Sequence, residues 1–137
     1  MKFGENLLHN EESVLRSLNT GIGALKILSR LANFRTRTIV ANGIFMSKLI
    51  YLITLWGGSA KYMIVALQKA QNRAARVVTK LDWHIPTSEL LKQCGWLSVH
   101  QLAVYHSVFP VYKVIQNKSP RFCYSMFSAE YNYKTRQ

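Results

Sequence analysis

The sequence predicts an all-α fold: a three-helix bundle, then a short helix, then a longer one. Three observations carry that reading. Apolar residues recur at steps of three and four along most of the chain, the period of a helix with one buried face. Glycine or proline follows several of the periodic runs, at Gly57-Gly58, Gly95 and Pro120, where helices stop. Hydrophobic residues make up 49% of the 137 and charged residues only 18%, which is enough for a buried core and too apolar for a disordered tail. The expected division is residues 11–81 as the bundle, 82–97 as a linker with the short helix, and 98–137 as the last helix with an aromatic tail.

The first helix is expected over Ser13–Phe34, where Val14, Leu15, Leu18, Ile22, Leu25, Leu28 and Leu31 share a face. Gly21 and Gly23 weaken its middle, each by up to about 1 kcal/mol relative to Ala. Thr36–Leu55 is a very apolar second helix, ended by Gly57-Gly58, and Ser59 can cap a third over about Ala60–Leu81. "DWHIP" (Asp82–Pro86) breaks the pattern. Thr87 or Ser88 then caps a short helix that Gly95 stops. Ser98-Val99-His100-Gln101 fits the Ser-x-x-Gln capping box and opens a helix to about Asn117. Pro110 lies inside it, removing a hydrogen bond and crowding the preceding turn at about 3 kcal/mol, so a kink or break near Phe109 is expected.

Charge is the most unusual feature. Lys and Arg number 18 against 6 Asp and Glu, a formal net charge of +12. From Ser13 to Leu81 there are eleven basic residues and no acidic one. Solvated helices normally mix signs, because Glu–Lys pairs at i,i+4 stabilise and like charges do not. A long acid-free segment therefore points to a polyanionic partner. Within it, "LQKAQNRAARVVTK" places Lys69, Arg73, Arg76 and Lys80 at steps of four, three and four. On a helix these fall within roughly 60° of one another, one narrow basic stripe beside an apolar face. With Arg30, Arg35 and Arg37 at the first inter-helix turn, they are the candidate nucleic-acid contacts.

Catalytic chemistry is missing from the residues. The chain has one aspartate, Asp82, with no acidic neighbour in sequence, whereas two-metal nucleotidyl transfer needs paired carboxylates. Its four histidines and two cysteines match no usual metal-ligand spacing. No Walker loop, nucleophile elbow or dinucleotide fingerprint occurs. No catalytic residue, metal, cofactor or small-molecule substrate is therefore expected, and no activity from this chain alone. Cys94 and Cys123 are too few for a disulfide scaffold, and Met1–Asn10 lacks a signal-peptide core, so an intracellular setting is expected.

The order of pieces from Leu67 to Pro120 resembles the segment that follows the polymerase core in non-LTR retrotransposon (LINE-type) reverse transcriptases. A Leu-Gln-x-x-Gln-Asn-x-Ala-x-Arg helix corresponds to Leu67, Gln68, Gln71, Asn72, Ala74 and Arg76. A Leu-Leu-x-x-x-Gly-Trp-Leu-Ser-Val piece corresponds to Leu90, Leu91, Gly95, Trp96, Leu97, Ser98 and Val99, and a Tyr-Lys then Ser-Pro ending to Tyr112, Lys113, Ser119 and Pro120. Upstream, "LNTGIGALKILSRL" and "MSKLIYLITLWGG" look like the preceding thumb helices. The likeness covers roughly residues 11–134 and lies in order and spacing rather than in one sharp motif.

The resemblance implies a thumb and connection region whose fingers and palm, with the catalytic aspartates, are not in this chain, and whose downstream continuation ends at Gln137. Such a region grips template–primer nucleic acid, RNA–DNA hybrid or duplex, without reading sequence, and the resemblance implies the nucleus as location. Pro110 departs from the family's uninterrupted helix and suits a decaying copy.

Two other readings stand beside this one. Thr38–Trp56 has nearly the length of a membrane span. Lys48 near its centre costs about 2.5–3.5 kcal/mol on insertion scales, so a buried helix whose Lys reaches a surface is expected, and a membrane partner is not. A transposon relic without selected function is the third. Trp56, Trp83 and Trp96 are aromatic residues that either stack on bases or close a core at helix ends.

Overall fold

The computed structural model describes residues 3–56 and 61–116, and the side chains of 12–54 and 61–116. The chain is all-α. Helix α1 spans Phe3–Ser29, α2 Phe34–Ala41, α3 Ser47–Trp56, α4 Lys61–Thr79, α5 Thr87–Cys94 and α6 Val99–Ile115, with a π-helical turn, Asn42–Met46, joining α2 to α3. The expected stop at Gly57-Gly58 and cap at Ser59 lie outside the described residues, as do Cys123 and the aromatic tail.

The first boundary differs from the sequence expectation. α1 ends at Ser29 rather than Phe34, because Asn33 starts the next helix: its Oδ1 accepts from the Thr36 amide at 2.9 Å. The π-turn has a cause visible in the core. Arg37, Ala41, Phe45, Leu49 and Ile53 are spaced four apart and all are buried. Four such steps on a regular α-helix would drift about 160° round the axis. A turn in which the Ser47 amide bonds back to the Asn42 carbonyl, five residues earlier, absorbs one residue and keeps the row facing inward.

One apolar core joins α1 to the start of α6. Leu18, Ile22 and Leu25 of α1 meet Phe45, Leu49 and Ile53, and α4 adds Met63, Leu67, Ala74 and Val78. α4 touches α1, α2 and α5. Leu90, Leu91 and Cys94 place α5 in the same core, and Gly95 ends that helix in the left-handed conformation, φ 69°. Burial raises the Cys94 thiol from 9.0 to about 11, so it stays protonated and unreactive at neutral pH.

The pieces after Gly95 are fastened to α4 by amides. Gln71 is fully buried and donates to the Leu97 carbonyl at 2.8 Å. Gln68 accepts from the Val99 amide at 2.9 Å and donates to both Gln71 and Asn72. Trp96 stacks on Phe45 at 6.3 Å and donates its indole N–H to Asn42 Oδ1 at 2.8 Å. Among the described residues every buried side-chain nitrogen or oxygen has a partner, as burial of such groups requires.

α6 opens with the capping box formed in both directions, Ser98 N–H to Gln101 Oε1 at 2.9 Å and Gln101 N–H to Ser98 Oγ at 3.3 Å. The helix continues through Pro110 and is not broken at Phe109. Tyr105 stacks on Phe109 at 5.2 Å and the Lys113 ammonium lies 4.6 Å above the Phe109 ring, an i,i+4 ladder that spans the proline. The chain divides into two compact units, Met1–Ala103 and Val104–Gln137.

Among the described residues no helix is long and apolar enough to cross a membrane. Ala41, Phe45, Met46, Leu49, Leu52 and Ile53 of Thr38–Trp56 instead line the core described above, while Ile39 and Tyr51 are exposed. Lys48 is exposed and its Nζ lies 3.2 Å from Ser17 Oγ on α1.

Candidate nucleic-acid interface

The stripe on α4 starts from helical spacing and ends as a surface because the opposite face is buried. Leu67, Ala70, Ala74 and Val78 turn inward, which leaves Lys69, Arg73 and Lys80 exposed and Arg76 half-buried. Arg73 donates to Asn19 Oδ1 on α1 at 3.1 Å, and Arg76 donates to the Asp82 carbonyl at 3.3 Å. Both acceptors are neutral. They orient the guanidinium groups without cancelling their charge, so the forks remain available for bidentate contact with phosphate.

Lys80 closes α4 in the left-handed conformation, φ 57°, with its amide bonded to the Arg76 carbonyl at 2.9 Å. A lysine there is strained by roughly 1–2 kcal/mol relative to glycine, and its position projects one more cation from the helix end.

The Arg73–Asn19 bond brings a second stripe alongside the first. On α1, Arg16, Asn19, Gly23 and Lys26 follow at steps of three, four and three, within about 80° of one another, and Arg30 continues the row into the turn after the helix. Arg16, Lys26 and Arg30 are exposed. Arg35 is exposed in the first turn of α2. Arg16 has Glu12 at 3.6 Å, an exposed pair of small energetic weight. No other ion pair involves these cations among the described residues.

Arg37 does not belong to this surface. It is only 8% exposed, donating through Nε to the Val78 carbonyl at 2.7 Å and through a terminal nitrogen to the Ala32 carbonyl at 2.8 Å. The Val78 carbonyl lies in the last turn of α4, where no intrahelical donor follows, and the Ala32 carbonyl lies in the loop between α1 and α2. The expected phosphate contact is instead a tie from α2 to the last turn of α4 and to the loop that precedes α2. Sequence gave no sign of this, because a basic residue in an acid-free segment reads the same whether it caps a helix or faces solvent.

Asn19, Arg16 and Lys26 are the members that the α4 stripe alone did not indicate. Their signal was present as the three-four-three spacing on α1, which becomes meaningful once Asn19 meets Arg73. Of the tryptophans, Trp96 is a core residue, while Trp83 is 73% exposed with His84 tilted against it at 3.7 Å. The Trp56 side chain lies outside the described residues. No group of three His, Cys, Asp or Glu side chains converges among the described residues.

The arrangement can hold an extended anion along two adjacent helices through Lys and Arg. Comparison of the chain with protein-family models, with curated proteins and with solved structures gave no match.

Proposed function

We propose that this chain is a non-catalytic nucleic-acid clamp, a thumb-like part of a LINE-type RNA-directed DNA polymerase that holds template–primer duplex without reading its sequence. The observation that carries the binding reading is the pair of basic stripes, on α1 and α4, placed side by side by the Arg73–Asn19 bond with no carboxylate partner on α4. Two rows of cations along neighbouring helices suit a phosphate backbone, which repeats charge along a line. The polymerase kinship rests on the order of the motif pieces. Gln68, Gln71, Trp96, Leu97 and Val99, which carry much of that order, form one hydrogen-bonded and stacked assembly with Asn42 and Phe45. Nucleotidyl transfer would belong to a palm outside this chain.

The test is binding of an RNA–DNA hybrid and of random DNA duplex across a salt series. Affinity is expected to fall by orders of magnitude between about 50 and 200 mM salt as counterions cease to be released favourably. Replacing Lys69, Arg73, Arg76 and Lys80 together by Gln should flatten the log–log salt slope by about 3 to 4 and weaken all sequences alike. Absence of binding at low salt, or a loss confined to one sequence, would sink the proposal.

A further inference from the structure

Two glycines, Gly21 and Gly23, lie in the second half of α1, and the structure explains only one of them. Gly21 is buried, and a methyl group there would stand 3.6 Å from Ile44 Cγ2, in contact with the π-turn. Gly23 is exposed, has ordinary helical backbone, and a methyl group there would meet nothing within 4 Å. Glycine inside a helix weakens it relative to almost any other residue. Among the described residues no contact offsets that weakness at Gly23.

Its place on the surface supplies a reason. Gly23 sits in the α1 stripe between Asn19 and Lys26, and Asn19 is the residue that Arg73 of α4 reaches. The stripe thus has a bare stretch of backbone at its centre, with Arg16 one way, Lys26 and Arg30 the other, and Arg73 held by Asn19 one turn before it. Glycine is one residue that lets another molecule's backbone come close to a helix, because no Cβ stands in the way. Resting on the nucleic-acid reading above, we propose that Gly23 is the point of closest approach of a phosphodiester backbone, the seat that lets the shorter reach of Arg16, Lys26 and Arg73 span to phosphates on either side. A side chain at this position would hold the strand off the helix and lengthen every flanking contact at once.

Gly23→Gln tests this, since it adds bulk without changing charge and raises helix propensity. Binding of an RNA–DNA hybrid of random sequence to the full chain would be measured by fluorescence anisotropy over a salt series, with thermal melting alongside. Ala24→Gln is the control: Ala24 is also exposed but lies about 100° round the helix from Gly23. Gly23→Gln is expected to bind about tenfold or more weakly with a shallower salt slope, and to melt at or above the unsubstituted chain. Ala24→Gln should keep full affinity.

Equal losses in both variants, or full affinity in Gly23→Gln, would overturn the seat while leaving the clamp intact. A lower melting temperature for Gly23→Gln would also overturn it, by revealing an internal role for the glycine. If the unsubstituted chain shows no salt-dependent binding, the clamp and the seat fall together.

Discussion

Arg37 and Lys69 look alike in sequence and have different work in the fold. Lys69 is an exposed cation, whereas Arg37 donates hydrogen bonds to the Val78 carbonyl in the last turn of α4 and to the Ala32 carbonyl in the loop before α2. Truncation would leave the buried Val78 acceptor without this donor at about 1–3 kcal/mol, and the part-buried Ala32 acceptor at less. Arg37→Ala should therefore lower unfolding stability by about 2–4 kcal/mol in urea, with the affinity of the folded fraction for duplex changed less than about twofold. The opposite pattern, full stability with weakened binding, would return Arg37 to the interface.

At the scale of elements, periodicity predicted the helices well and their junctions less well. The α4 stripe, the Gly95 stop and the Ser98–Gln101 capping box were legible because each depends on residues within four positions. The apolar run that continues to Phe34 hides the Asn33 cap. The π-turn was written in the repeated four-residue spacing from Arg37 to Ile53, a drift that a plain helical reading treats as noise. What sequence could not give was pairing across elements, such as Arg73 with Asn19 or Trp96 with Asn42, since nothing local encodes either.

α6 stays helical through Pro110, yet the His106 carbonyl loses the amide that residue 110 would supply. Pro110→Ala should strengthen α6 by up to about 3 kcal/mol, seen as slower amide exchange across residues 106–112. Faster exchange would show that the proline stabilises this helix rather than straining it.

For the whole molecule, the acid-free segment sets a conflict between folding and binding. Eleven cations between Ser13 and Leu81 repel one another, and salt relieves that repulsion by shortening the screening length. The free chain should therefore melt at a higher temperature as salt rises from about 20 to 200 mM, while its grip on duplex weakens over the same range. A melting temperature that falls with added salt would mean that attraction between charges, not repulsion, dominates the fold. Duplex added at low salt should in turn raise the melting temperature by mass action, because it is bound by the folded state.

The tie at Arg37 has a further consequence, for the field rather than for stability. Val78 lies in the last turn of α4, whose carbonyl end carries part of a negative charge, and Ala32 adds one more carbonyl from the loop between α1 and α2. The guanidinium is therefore partly offset where it stands, although the formal charge of +12 counts it in full. A polyanion approaching that end meets the exposed Arg30, Arg35 and Lys80 rather than Arg37. The attraction that a distant strand feels is thus set by the cations at the surface and is smaller than the formal count.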